Sequence, residues 1–430
     1  MITALLLVLG LVLMAIGMPV AFAIGIAGFL YFLLPGTFLP VGIGPQRIVS
    51  ATQSFPLLAV PLFIFIGHLM NASGITPRLL RLSTLLAGWM SGGLAQASLV
   101  LSTLMGGVSG SAVADAAMQS RVLGKGMVGE GYTPGFAGAV LSIGGLITAT
   151  IPPSIGLILY GYLGEVSIGR LFIAGVVPGV LLMVALMITT WLVSRRRGYT
   201  PVRDSLPRFA EVASATRSSI WALLFPLWLL VGIRYGLFTP SEAGAFAVVY
   251  ALVVGCFIHR EMGIAEIIEA MRASVRDIGM IMLIIIMAAV LGHVIVLEQA
   301  PTKLAAGVAA ISDNPTVTLL LILGFLIIAG TIMEATVNVL LLTPLFMPIL
   351  QAQGLDPIHF GVLMVTIITM GGNTPPIGVG MFTVCGMLDV SLRDYIRGST
   401  PFLLVMLATF LLLALVPGLV TWLPNQVMGH

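Results

Sequence analysis

Charge is what this chain lacks most. Only 8% of its 430 residues are Asp, Glu, Lys or Arg, while 59% are hydrophobic and the mean hydropathy is +1.13. A water-soluble surface cannot be made at that composition, so the solvent of this fold is a bilayer. The few charges gather in short stretches between apolar runs, which leaves no soluble domain to cut out. Cysteine is nearly absent. Cys256 and Cys385 lie in apolar runs in opposite halves, with neither a metal-ligand spacing nor a disulfide setting, and are expected to be packing residues. No Walker sequence, HExxH or nucleophile elbow occurs, so ATP hydrolysis and hydrolytic catalysis have no support, and the chain is not expected to be an enzyme. The net charge of +3 does not mark a nucleic-acid binder; in membrane proteins such an excess belongs to cytoplasmic loops. The N-terminus runs Met1-Ile2-Thr3-Ala4-Leu5 into an apolar segment without a basic n-region or cleavage site, which predicts a first membrane helix rather than a signal peptide.

Long apolar runs are abundant. Those of roughly 17 to 25 residues have the length of a bilayer span, and they fall at about 2–17, 18–35, 55–73, 171–194, 218–237, 240–258, 278–297 and 400–423. Glycine and proline interrupt four others, near 92–124, 135–165, 315–351 and 358–388. These predict two re-entrant helical hairpins and two broken helices. The stretches 78–90 and 262–276 mix periodic apolar residues with charges and read as interfacial helices lying flat.

The two halves repeat. An offset of 223 residues places Gly107 on Gly330, Pro134 on Pro357, Gly138 on Gly361, Pro152-Pro153 on Pro375-Pro376, Arg170 on Arg393 and Pro178 on Pro401. Upstream the offset drifts by one or two, pairing Gly67-His68 with Gly292-His293, Pro77 with Pro301 and Pro19 with Pro240. A fixed order of this kind is the mark of a duplication. If the segment from Arg195-Arg196-Arg197 to Arg217 is cytoplasmic, fifteen of nineteen Lys and Arg fall inside, and only Arg47, Arg170, Arg234 and Lys303 fall outside. That asymmetry satisfies the positive-inside rule. It gives each half an odd number of crossings, so the repeat is inverted, with both termini periplasmic.

The expected fold is therefore an all-α polytopic membrane protein, an inverted repeat whose broken helices meet at mid-membrane, an architecture of secondary transporters. Its parts are 1–90, first-repeat scaffold helices and interfacial arm; 91–165, first hairpin and broken helix; and 166–217, a scaffold helix and cytoplasmic connection. The second repeat follows as 218–312, scaffold helices and arm; 313–390, second hairpin and broken helix; and 391–430, a C-terminal helix.

Chemistry is concentrated at the interruptions. The first tip holds Gly106, Gly107, Ser109, Gly110 and Ser111, followed by Asp115. Glycine lets the backbone turn and bare its carbonyls, and hydroxyl oxygens suit a hard cation such as sodium. Helix packing by small residues is the alternative. The second tip holds Gly330, Thr331, Met333, Glu334 and Thr336, followed by Asn338. A carboxylate such as Glu334 at this depth is costly unless paired, protonated or functional. Asp115 and its counterpart Asn338 are expected to support the site from behind, Asp115 by hydrogen bonds to hairpin amides or by direct coordination. The breaks Thr148, Thr150, Pro152, Pro153 and Gly372, Asn373, Thr374, Pro375 free carbonyls that hydrocarbon cannot satisfy, leaving them to ions, polar side chains or a water-filled cavity. The paired His68 and His293 read as a repeated structural hydrogen bond.

At these residues the sequence resembles the large membrane subunit of tripartite ATP-independent periplasmic (TRAP) transporters. The likeness runs from Gly17-Met18-Pro19 through the tip 106–115 and Ile151-Pro152-Pro153-Ser154 to Asn373-Thr374-Pro375-Pro376-Ile377-Gly378. It implies an elevator-type transporter driven by sodium symport and importing an organic acid, a carboxylate or a sialic-acid-like molecule, across the bacterial inner membrane. It also implies two partners, a separate small four-helix membrane subunit and a periplasmic substrate-binding protein. A stand-alone sodium/dicarboxylate or citrate symporter would share the architecture but would need no binding protein.

Overall fold

The computed structural model describes residues 2–34, 40, 42–53, 55–309, 314–375 and 377–429. Among the described residues every regular element is a helix. Among the described residues seven helices are long and apolar enough to cross a membrane, or up to nine if each of two bent pairs counts as one span.

The first half opens with Ile2–Ala15 and Val20–Leu33, separated at Gly17, whose φ of +94° is open to glycine, and at Pro19. Ile43–Thr52 follows, then Ala59–Ala72. The chain turns by 72° into Ile75–Ala87, through Gly74 at φ +73°. The first hairpin is Gly93–Gly106 and Ala112–Gln119, the latter continuing through a wide turn at Ser120–Gly124 into Lys125–Gly129. The first broken helix is Pro134–Thr150 and Ile155–Leu163, bent by 45°, and Ile168–Arg197 closes the half.

The second half repeats this order. It has Phe209–Arg234 and Pro240–Val253, then the long helix Ile264–Leu297 and Ala300–Ala309. The second hairpin is Pro315–Ile332 and Ala335–Ala352, and the second broken helix is Pro357–Gly371 and Val379–Leu388. Leu392–Leu415 and Gly418–Met428 finish the chain. Ala112 and Ala335, and Pro134 and Pro357, begin equivalent helices at the 223-residue offset. Both prolines stand at the first helical position, where a missing N–H costs nothing.

Packing between the halves is reciprocal. Val20–Leu33 lies on Ile264–Leu297, and its counterpart Pro240–Val253 lies on Ala59–Ala72. Likewise Ile155–Leu163 meets Ala335–Ala352 while Val379–Leu388 meets Ala112–Gln119. Each contact occurs with its swapped twin, as a pseudo-two-fold relation requires. Tyr160 joins the halves: its ring is buried against Gly361, where a Cβ would collide with it, and its hydroxyl donates to the Pro357 carbonyl at 2.7 Å. Ile168–Arg197 and Leu392–Leu415 pack on the broken helices of both halves.

Several boundaries differ from the sequence reading. The stretch 262–276 is no separate flat helix. It is the start of Ile264–Leu297, which at 34 residues is roughly 50 Å long against about 30 Å of hydrocarbon, and it holds no glycine or proline before Gly279. The counterpart of the arm Ile75–Ala87 is instead Ala300–Ala309, reached through Gln299 at φ +52°, 225 residues after Gly74. The span expected at 218–237 begins at Phe209, and the one at 400–423 stops at Leu415, before Pro417. Between the runs at 18–35 and 55–73, in a stretch that the apolar pattern leaves unassigned, lies the helix Ile43–Thr52. Pro376 and the expected boundary at 312 lie outside the described residues.

Candidate substrate and ion site

Both tips and both breaks open on one cavity of about 320 Å³. From the first half it is lined by Gly110 to Val113, Ala149 and Ser154 to Gly156, and from the second by Glu334 to Val337, Thr369, Gly372, Asn373, Val379 and Gly380. Val20, Met280, Ile281 and Ile284 face them from the scaffold helices.

Four helix N-termini point into this space, beginning at Ala112, Ile155, Ala335 and Val379. Each end carries unsatisfied N–H groups and roughly half a positive charge. Three have side-chain caps. Ser111 accepts from the Ala114 amide at 3.4 Å and Ser154 from the Leu157 amide at 3.4 Å. Glu334 accepts from the Thr336 amide at 2.7 Å and the Thr336 hydroxyl at 3.1 Å. The fourth begins after Gly378 with no side-chain cap, and its Gly380 and Met381 amides donate to the Gly372 carbonyl at 2.9 and 3.4 Å.

Gly110 shows why the first tip takes glycine: φ is +60°, and a Cβ there would strike the Pro153 carbonyl. Tip and break are thus held backbone to backbone. In the second half the close approach is Gly330 against Gly371, where a Cβ on Gly330 would come within 2.5 Å of the Ile368 carbonyl oxygen. Gly330 is accordingly a packing residue. Gly107 is another, seated against Pro226.

Behind the first tip Asp115 is buried. Its Oδ2 accepts from the Ser102 hydroxyl at 2.9 Å, the Gln119 amide at 2.9 Å and the Thr148 hydroxyl at 2.8 Å. The donors are side chains of both hairpin arms and the first broken helix, rather than the hairpin amides expected. Asn338, its counterpart, donates to the carbonyls of Ala329, Met333 and Glu334 at 3.2, 2.9 and 3.3 Å, knitting the second tip together. Asn373 accepts from Ser142, donates to the Thr369 carbonyl at 3.0 Å, and offers its own carbonyl to the Tyr395 hydroxyl at 3.0 Å.

Of the residues expected from sequence, Gly110, Ser111, Glu334, Thr336, Gly372 and Asn373 line the cavity. Ser109, Thr150, Thr331 and Thr374 are not among the lining residues, and each hydroxyl donates to a carbonyl of the preceding turn at 3.4, 2.8, 2.7 and 2.8 Å. Their protons are engaged and their lone pairs remain acceptors. Thr148 serves Asp115; Pro152 is buried at the bend, and Met333 is half-buried beside Glu334. Sequence reasoning missed Thr369, Ser142, Tyr395, Ser102 and Gln119. The one signal for these was a polar side chain inside an apolar run. His68 pairs with Asp277 at 2.8 Å, but among the described residues His293 has no such bond, so that feature is not repeated.

With this geometry in view the comparisons are decisive. Residues 7–419 match the family described as the tripartite ATP-independent periplasmic transporter, DctM component. The chain belongs to that family. It is 34% identical over 414 residues to the sialic acid TRAP transporter large permease protein SiaM of Vibrio cholerae, with 96% of each chain covered. It is 31% identical over 449 residues to the C4-dicarboxylate TRAP transporter large permease protein DctM of the same organism, covering 100% of this chain and 99% of that one. To the isethionate TRAP transporter permease protein DctMQ of Oleidesulfovibrio alaskensis it is 34% identical over 94% of this chain, which spans 64% of that protein's length. The YdaH transporter of Alcanivorax borkumensis has a similar fold, at a TM-score of 0.63 and 17% identity over 98% of this chain and 99% of that one. The DctM-family chain is thus a large TRAP permease, a multi-pass membrane transporter subunit and not an enzyme.

Proposed function

We propose that this permease imports an organic acid by sodium symport, receiving it from a periplasmic binding protein and working with a separate small four-helix membrane subunit. The convergence of both tips and both breaks on one cavity carries this reading. Four helix N-termini offer partial positive charge to a carboxylate, while the carbonyl ends of the opposite half-helices, with the lone pairs of Ser109, Thr150, Thr331 and Thr374, offer oxygens to sodium. Asp115 and Asn338 act from behind by fixing the tips. The relatives' names support an organic-acid substrate, since they include sialic acid and C4-dicarboxylate permeases.

The hairpins are re-entrant in this reading and the repeat is inverted, with 195–217 cytoplasmic and both termini periplasmic in the bacterial inner membrane. Hairpins and broken helices move as one elevator past the remaining helices, together with Leu392–Leu415 and with Ile168–Arg197, which packs on the broken helices of both halves and so belongs with the moving part rather than with the scaffold expected from sequence. The test is reconstitution in liposomes with imposed sodium gradients. Uptake requires inward sodium, the small subunit and the loaded binding protein. Full-rate uptake of free substrate by this chain alone would instead establish a stand-alone carrier.

A further inference from the structure

The cavity has two unlike faces. All six of its polar side chains, Ser111, Ser154, Glu334, Thr336, Thr369 and Asn373, belong to tips and breaks. The facing wall, Val20, Met280, Ile281 and Ile284, offers no hydrogen-bonding side chain, and Met280, Ile281 and Ile284 sit in a helix interior whose backbone groups are engaged along the helix. Among the described lining residues there is no Lys, Arg or His, and one acid, Glu334.

We propose that the substrate is an amphipathic organic monoanion, with one carboxylate at the helix N-termini and an apolar body against Met280, Ile281 and Ile284. This rests on the transport reading above and narrows it. Hydrogen bonding favours a single carboxylate: a hydroxyl or second carboxylate turned to the apolar wall loses water without gaining a partner. The size of the cavity, near the small end of ligand sites, sets a compact body. Apolar contact also suits a sliding seam, because it has no directional bond to break when the polar face moves past the wall.

The test measures binding to the permease, co-purified with its small subunit in nanodiscs, by the shift of the thermal midpoint with ligand concentration in sodium. The probes are 4-methyl-2-oxopentanoate, succinate and N-acetylneuraminate. The branched oxo acid is expected to bind roughly tenfold or more tighter than either other acid, the cost of one unsatisfied polar group. Ile284→Ser should weaken its binding several-fold while the shift caused by sodium alone is kept, which separates a lost contact from a misfolded protein. Equal or tighter binding of succinate or N-acetylneuraminate overturns the assigned class and leaves sodium-coupled organic-acid transport standing. Binding of none of the three overturns the assigned class, and where sodium also fails to stabilise the protein it overturns both.

Discussion

Ser111 and Glu334 occupy the same place in the two halves, 223 residues apart, each capping the returning helix of its hairpin and each lining the same cavity. One cap is a neutral hydroxyl and the other a carboxylate. The duplication therefore supplies two equivalent backbone turns but only one acidic side chain, so the halves contribute differently to charge in the site. Its position also explains how Glu334 is accommodated: an anion at a helix N-terminus meets unpaired amides and the positive end of the helix dipole.

The cap and the charge of Glu334 are separable. Glu334→Gln keeps a carbonyl oxygen for the Thr336 amide, now 2.7 Å from the carboxylate, and should change unfolding stability little. Glu334→Ala removes the cap and should cost about 1 kcal/mol. Both lower sodium affinity if the charge helps to hold the ion. Sodium titrations beside melting curves check this. A Gln variant with unaltered sodium affinity would reduce Glu334 to a helix cap.

Asp115 is the keystone of the first tip, because its Oδ2 collects three donors from three helical segments. Asp115→Ala leaves the Ser102 hydroxyl without its acceptor, while Thr148 keeps the Ser102 carbonyl and Gln119 the Ser102 hydroxyl, and should destabilise the protein by about 1–3 kcal/mol, the cost of one buried unpaired group. Asp115→Asn retains one acceptor oxygen and should fall between Ala and wild type. Denaturation of the purified variants ranks them. Equal stability of Ala and Asn would contradict a role in holding the arms to Thr148.

The tips and breaks were legible because glycine, proline and hydroxyl residues stand out in an apolar chain, and because each had a counterpart at a fixed offset. The wall at Met280, Ile281 and Ile284 was not legible, since apolar residues among apolar residues give no contrast. The arm opposite Ile75–Ala87 was misplaced for a different reason. Glu266, Glu269, Arg272 and Arg276 give 262–276 the look of an interfacial helix, whereas the true corner at Gln299 has a left-handed backbone without the glycine that usually announces one. The partners of Asp115 could not be read because Ser102 and Thr148 come from separate helices and reach it only through packing.

Outside the spans, Arg78 and Glu261 give a pH dependence of known sign. Arg78 Nη2 donates to Glu261 Oε1 at 2.6 Å and tethers the arm Ile75–Ala87 to the connection before Ile264–Leu297. That hydrogen bond, with the guanidinium charge, holds the Glu261 carboxyl below the usual carboxylate range. The contribution is therefore present above the unfolded value of 4.5 and lost as pH falls through the lower folded value. With side chains 25% and 44% exposed, the pair is worth less than about 1 kcal/mol. Melting between pH 7 and pH 3 should show wild type converging on Glu261→Gln at the acid end. Parallel curves for the two proteins would show that the pair adds nothing.

The inversion of the repeat is tested at two lysines. Lys125 follows the first hairpin, on the exposed side of Lys125–Gly129. Lys303 precedes the second hairpin in Ala300–Ala309, is 64% exposed, and donates to the Glu298 carbonyl at 2.7 Å. Its structural counterpart in the first half lies beside Arg78, because the corners at Gly74 and Gln299 are equivalent. In an inverted repeat equivalent corners lie on opposite membrane faces, whereas a parallel duplication would put them on the same face. The positive-inside rule assigns Arg78 and Lys125 to the cytoplasm and leaves Lys303 outside. Single cysteines at Lys125 and Lys303, in a background without Cys256 and Cys385, are therefore expected to differ in sidedness. An impermeant maleimide added to intact cells should label the cysteine at 303 and spare the one at 125, and inside-out vesicles should reverse the pattern. Labelling of both from one face would sink the inverted topology while leaving the shared cavity and the family assignment untouched.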